Sequence, residues 1–255
     1  MLQVSHVTKK FGGVKAVDDF SFNVKKGTIH SIIGPNGAGK TTLVNMITGV
    51  YKVDSGTVFL DGSDITNLAT NKLVHRGVCR TFQHLEICGN LTVIENVMLG
   101  FDKYMDKNIL RSCFRASSIL EDEKRYFKRG MHLLDLIGLA DFADFEAKNL
   151  SYGILKKLEI IRALATSPEV MLLDEPVAGL NPKETQEVSE LIKTVVADEL
   201  TVILVEHDMK MIMQISDHIT VMNFGQKLAE GTPSEIVNNE EVIKAYLGSG
   251  ALNGK

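Results

Sequence analysis

Residues 29–50 read IHSIIGPNGAGKTTLVNMITGV: an apolar run, a glycine-rich turn, and a second apolar run with helical spacing. Within them, residues 34–42 (GPNGAGKTT) match the pattern GxxxxGK[ST]. Glycines in such a turn let successive backbone N–H groups point inward around an anion, and the helix that follows adds the positive end of its dipole. Gly34, Pro35, Asn36, Gly37, Ala38 and Gly39 would then wrap the phosphates of a nucleotide, with Thr42 in the same turn. Lys40 would reach the β and γ phosphates, and Thr41 would set its hydroxyl on Mg²⁺. A glycine turn between strand and helix also fits the bare pattern. The strand before it and the helix after it point to nucleotide binding, without separating small GTPases, kinases, helicases and transport ATPases.

The same rhythm recurs downstream. EVMLLDEP (169–176), LTVILVEHD (200–208) and HITVMNFGQ (218–226) are short apolar runs ending in polar or glycine-rich turns, as expected of strands covered on both faces in a parallel sheet. After Leu180, Asn181 can cap a helix, Pro182 fits its first position and Glu184 completes a capping box. Val188, Leu191, Ile192 and Val195 then make one apolar stripe. Alternating strands and helices imply a doubly wound α/β core, with ligands beyond the carboxyl ends of the strands. Strand-like runs are scarce between about Leu91 and Ala165, which reads as a helical insert; residues 248–255, GSGALNGK, read as a loose tail.

Two strand ends carry candidate chemistry. Asp174 closes a buried run, where a carboxylate can hold the hydration shell of Mg²⁺. Glu175 is the candidate base for an attacking water. Neighbours on a strand face opposite ways, so both can serve one site only if the strand end turns, which Pro176 makes plausible. His207 stands past another strand end and Gln83 lies in RTFQH; a surface role accounts for either residue taken alone.

Composition narrows the classes further. With 255 residues, 44% hydrophobic and 24% charged, the chain is an ordinary globular protein, able to bury roughly 70 to 75% of its extended surface. A net charge of −4 offers no diffuse positive field, so nucleic acid is not the expected partner. Cys79, Cys88 and Cys113 form no CxxC pair, which fits a reducing compartment and suggests neither disulfides nor zinc. No run approaches the ~20 apolar residues of a membrane span, so a partner would have to supply one.

Leu150 opens LSYG, 24 residues ahead of Asp174, and this resembles the signature of ABC ATPases. The other motifs follow in that family's order, from FGGVKAVDDFSF (11–22) to GQKLAEGTPSEI (225–236). The resemblance implies a P-loop NTPase core of α/β class with a mostly parallel sheet, an N-terminal antiparallel β subdomain and an inserted helical subdomain. It divides one domain, 1–255, into a nucleotide-binding core (1–88 and 162–240), a helical insert with the signature (89–161), and a C-terminal helix with a loose tail (241–255). It implies that Ser151 and Gly153 complete the ATP site of a second subunit. It makes Phe11 the aromatic on adenine, Gln83 the residue near Mg²⁺ and the attacking water, and His207 the switch histidine. Ser151 at a helix start also fits an ordinary N-cap. AGLN (178–181) corresponds to the D-loop, where Asn181 departs from the usual aspartate, and Ile154 departs from the usual glutamine after the signature.

Within the family, RTFQHLEICGNLTVIENVMLG (80–100), the insert, LSYGILKKLEIIRAL and the ending AYLG resemble ATPase subunits of branched-chain amino-acid importers. That implies a homodimer, or a heterodimer with a related ATPase subunit, beneath two transmembrane permease subunits and, indirectly, a substrate-binding protein. Its place would be cytoplasmic, peripheral on the inner membrane. The ATPase of a lipid or lipopolysaccharide exporter shares most motifs but not the long insert, and a soluble non-transport ABC ATPase is the remaining alternative. In the insert, Lys103, Arg111 and Arg115 alternate with Tyr104 and Phe114, a pattern that suits a docking face as a whole and a solvated helix at any single position.

Overall fold

The computed structural model describes residues 1–81, 85–104 and 117–250, with backbone alone for 117–120 and 247–250. Its first strands, β1 (Leu2–Phe11) and β2 (Val14–Val24), alternate buried and exposed residues and pair antiparallel. With β4 (Ser55–Leu60) and β5 (Ser63–Asp64) they form an antiparallel sheet of order β2-β1-β4-β5. The second sheet has order β10-β9-β3-β8-β7-β6. Its members are β3 (Ile29–Ile33), β6 (Val78–Arg80), β7 (Val170–Asp174), β8 (Thr201–Val205), β9 (His218–Asn223) and β10 (Gln226–Gly231). Only the β9–β10 pair is antiparallel. Every residue of β3, β7 and β8 is buried, as their unbroken apolar runs require.

Helices cover both faces of this sheet. Leu43, Val44, Met46 and Ile47 of α1 (Lys40–Ile47) pack between the two sheets, in one cluster with Val4, Phe20 and Leu172. A short helix α2 (Thr70–His75) leads into β6. On the other face lie α3 (Val93–Met98), α4 (Ser117–Asp135), α5 (Tyr152–Ala165) and α6 (Pro182–Ala197). The insert is helical, as its sequence suggests, and α3 starts in a capping box between Thr92 and Glu95. The stripe Val188, Leu191, Ile192 and Val195 is buried, and α6 opens with the full capping box: Asn181 Oδ1 accepts the Glu184 N–H, and Glu184 Oε2 accepts the Asn181 N–H, both at 3.0 Å.

Three further helices, α7 (Met209–Ile215), α8 (Pro233–Val237) and α9 (Glu240–Gly250), follow. The last corrects the expected loose tail, because the helix continues through Gly250. Asn239 accepts the N–H groups of Glu241 and Val242 at its start, and buried Val242 ties it to the third core cluster. Residues 251–255 lie outside the described region, as do Arg111, Phe114 and Arg115 of the suggested docking face. Lys103 is half-buried and Tyr104 exposed, and they donate to the carbonyls of Val74 and Thr166.

One buried base makes the fold sensitive to acid. His30 on β3 is 1% exposed, bonded through Nε2 to Thr220 Oγ1 at 2.8 Å and flanked by the rings of Phe22 and His218. Burial, helped by His218 and opposed by Glu230, pushes its pKa from 6.5 down to about 4. The folded value lies below the unfolded one, so the unfolded chain binds the extra proton. The contribution is present above pH 6.5 and is lost as pH falls toward 4, a loss of roughly 2 to 4 kcal/mol. In urea unfolding across this window, His30→Gln should show a correspondingly shallower fall than wild type; parallel curves would refute the assignment.

Candidate nucleotide site

β3 ends at Ile33, and the chain swings through residues 34–39 into α1. Two glycines have no substitute here. Gly34 (φ +156°) and Gly39 (φ +107°) have backbone angles that side chains rarely tolerate, and a Cβ on them would strike the carbonyl oxygens of Met222 and Ala16. The loop is braced from outside: Gly225 donates its N–H to Ala38 O at 2.8 Å, and the Gly34 N–H meets the buried hydroxyl of Tyr246, whose pKa burial pushes up to about 12. Lys40 curls back over the loop, its Nζ donating to Gly34 O at 2.7 Å and Pro35 O at 3.1 Å. Burial lowers its pKa, while Glu175 and Asp174 pull it up. Asn36, Gly37 and Thr41 are exposed around this ammonium, and Pro35 and Thr42 are half-buried.

The acids arrive at the end of β7, which β8 separates from β3. Asp174 is 1% exposed, and its Oδ2 accepts a hydrogen bond from Arg80 Nη2 at 2.8 Å. Burial drives its pKa up and Arg80 draws it down. Arg80, at the end of β6, also donates to Asn45 of α1, so one guanidinium ties the acid to the phosphate-loop helix. The sequence reading passed over Arg80; a cation closing an apolar strand is the signal that it has a buried partner.

Glu175 solves the geometric problem of adjacent carboxylates. Its N–H continues the ladder to Val205 O at 2.8 Å, but its φ is +50°, so the chain turns sharply where a strand would alternate. A left-handed non-glycine residue is costly and typical of functional sites. The turn brings Glu175 Oε1 to 3.8 Å from His207 Nδ1, whose side chain is 63% exposed. Lys40, Asp174, Glu175 and His207 thus gather at one edge of the sheet. Gln83 falls outside the described residues.

Phe11 and Ser151 are placed by other elements. Phe11 ends β1 and is 45% exposed, which excludes a buried strand-end role. Its ring meets Tyr51 edge-on at 5.3 Å, and Lys9 Nζ stands 5.6 Å from its centroid. Ser151, an exposed residue, occupies the N-cap of α5 but makes no side-chain cap bond among the described residues. Gly153 is buried, and a Cβ there would collide with Glu184, so α5 and α6 start in contact. Ile154 packs partly buried against the large core cluster, which explains an apolar residue there.

Thr41 and Asp174 offer the hard oxygen donors that suit Mg²⁺, which commonly completes its shell with phosphates and water. A glycine loop feeding a helix, a lysine folded over it and an acid at the end of a strand of the same sheet together define a P-loop nucleotide-binding domain. Residues 17–178 match the family model described as ABC transporter, and residues 226–251 match that of the branched-chain amino acid ATP-binding cassette transporter. The chain belongs to the ABC transporter family, as an ATP-binding cassette ATPase.

It is 42% identical to the high-affinity branched-chain amino acid transport ATP-binding protein BraF of Pseudomonas aeruginosa, over 97% of this chain and 98% of that protein. Among solved structures, it resembles the ADP conformation of an ATP-binding cassette of an ABC transporter with a TM-score of 0.85 at 34% identity, covering 97% of this chain and 98% of the other. It also resembles a dimeric post-hydrolysis cassette bound to ADP and Pi, with a TM-score of 0.74 at 28% identity and coverage of 91% and 99%.

The Arg80–Asp174 pair makes a stability test. Removing one partner of a buried pair strands the other charge, at a cost of about 3 to 5 kcal/mol. Arg80→Met should lower unfolding free energy by that order, and adding Asp174→Asn should recover part of it. Urea titration reads both; an Arg80→Met protein as stable as wild type would show that the pair holds little.

Proposed function

We propose that this chain is the ATP-hydrolysing subunit of an importer of branched-chain amino acids, working at the cytoplasmic face of the inner membrane. The observation that carries the catalytic part is the gathering of Lys40, Asp174, Glu175 and His207 at the carboxyl edge of one sheet. The solute follows from BraF and from the C-terminal match over 226–251. No helix among the described residues is long and apolar enough to cross a membrane, and in this proposal two permease subunits provide the path. A substrate-binding protein delivers solute to them.

The backbone of residues 34–42 and Lys40 hold the phosphates, and Phe11 carries the adenine. Thr41, Asp174 and Gln83 would hold Mg²⁺, which would neutralise phosphate charge once bound. Glu175 takes the proton of the attacking water, and the His207 ring contacts the γ-phosphate. Ser151 and Gly153 reach the γ-phosphate held by a second subunit, identical or related. Shared phosphate contacts stabilise the closed pair, and cleavage of the γ-phosphate removes them, so hydrolysis opens the pair and the permeases follow.

Glu175→Gln should keep ATP binding and lose about 10² to 10⁴ in turnover, the usual contribution of a positioned base. Its solution mass should rise toward that of a dimer with ATP and Mg²⁺. Unchanged hydrolysis would remove Glu175 from the mechanism, and a mass indifferent to ATP, with or without the permeases, would remove the shared site.

A further inference from the structure

Glu206 follows β8 with its side chain buried at 0% exposure, beneath the residues that carry the chemistry. A buried carboxylate persists only where hydrogen bonds replace its lost water. Its Oε1 accepts the backbone N–H of Val177 at 3.1 Å, and its Oε2 accepts those of His207 at 2.8 Å and Asp208 at 3.3 Å. Val177 stands two residues past Glu175, in the turn that leads into AGLN. The His207 ring places Nδ1 3.4 Å from the same Oε2, and Asp208 in turn caps α7 through the Met211 N–H. One carboxylate therefore clamps the turn after Glu175 to the loop that carries His207, through charge-assisted bonds stronger than neutral ones.

We infer that Glu206 is a positioning residue: it fixes the His207 ring relative to Glu175, and it transmits displacement of the 177–181 turn to that ring. The inference rests on the proposed roles of Glu175 and His207. Glu206 touches no substrate; it acts through the backbone of both loops. A second subunit meeting the 178–181 segment shifts one end of the clamp, and the histidine at the other end moves with it.

A carboxamide tests this, because it has the shape of the carboxylate but one acceptor oxygen. In Glu206→Gln the oxygen can serve Val177 or the His207 and Asp208 pair, and the NH₂ then opposes the other loop's N–H. Steady-state hydrolysis of Mg²⁺-ATP would be measured for full-length wild type, Glu206→Gln, His207→Ala and the double variant. Glu206→Gln should lower kcat about ten- to hundredfold, as small misplacements do, with KM for ATP within about threefold of wild type. The double variant should be no slower than His207→Ala, because the ring being positioned is gone. Multiplying effects, or a Glu206→Gln enzyme as fast as wild type, overturn the inference. A fully active His207→Ala enzyme overturns the proposed role of His207 and the inference with it. Hydrogen exchange on the unmodified protein needs no variant to fold: the amides of Val177, His207 and Asp208 should share one protection factor once each rate is divided by its intrinsic value, and unequal protection overturns the clamp.

Discussion

Three adjacent strands, β3, β8 and β7, are buried from end to end, and this constraint shapes everything polar in the core. Such strands accept no charged side chain along their length without a large desolvation cost, so charge collects where they stop. Three of the charges gathered there, on Lys40, Asp174 and Glu206, are buried and have to be matched. Lys40 is matched by the carbonyls of its own loop, Asp174 by Arg80, and Glu206 by three backbone N–H groups. In the proposed role, a γ-phosphate arriving at this edge would meet groups already held in place, which limits the reorganisation left for the chemical step.

The antiparallel sheet and the helical layer extend this edge in two directions. β1 carries Phe11 outward on a strand held to β2 and β4, with Tyr51 against its edge, which leaves the ring half-exposed for a flat partner. On the other side, α5 begins with an exposed hydroxyl not used to cap its own helix. A helix start with free donors suits an anion. In the proposed pair that anion is a phosphate held by the other subunit, so the same fold supplies a complete phosphate cradle and the separate lid of another.

Much of this was legible because it depends on local rules. The buried strands follow from unbroken apolar runs, the phosphate loop from its glycines between strand and helix, and the start of α6 from Asn181, Pro182 and Glu184. The insert was legible as a loss of strand-like runs. What escaped reading depends on contacts between distant residues. Arg80 meets a carboxylate 94 residues away, and Glu206 meets an amide 29 residues away. Neither residue sits in a local pattern that names its partner. The left-handed backbone of Glu175 is equally silent in sequence, because it is imposed by the β8 ladder rather than preferred by glutamate. Ser151 could be read two ways, as a cap or as a phosphate ligand, and only the direction of its hydroxyl separates them.

Gly153 shows why the family pattern and the packing agree. Read as a phosphate ligand, it needs only an accessible backbone N–H, and alanine would offer one as well. The fold adds a stricter demand, since a Cβ at this position would occupy the space of the Glu184 carboxylate. That carboxylate is engaged in capping α6 through the N–H of Asn181, the last residue of AGLN. Nearby, the Tyr152 ring covers Gly179 and Lys157 pairs with Glu187 at 2.7 Å. The start of α5 and the turn before α6 are therefore packed as one body. In the proposed pair, a force on the signature of one subunit would reach its own 178–181 turn, and from there, through Glu206, the histidine of its own nucleotide site. The residue that closes one site would then be fastened to the machinery of the other, so the two sites of the proposed pair would not load independently.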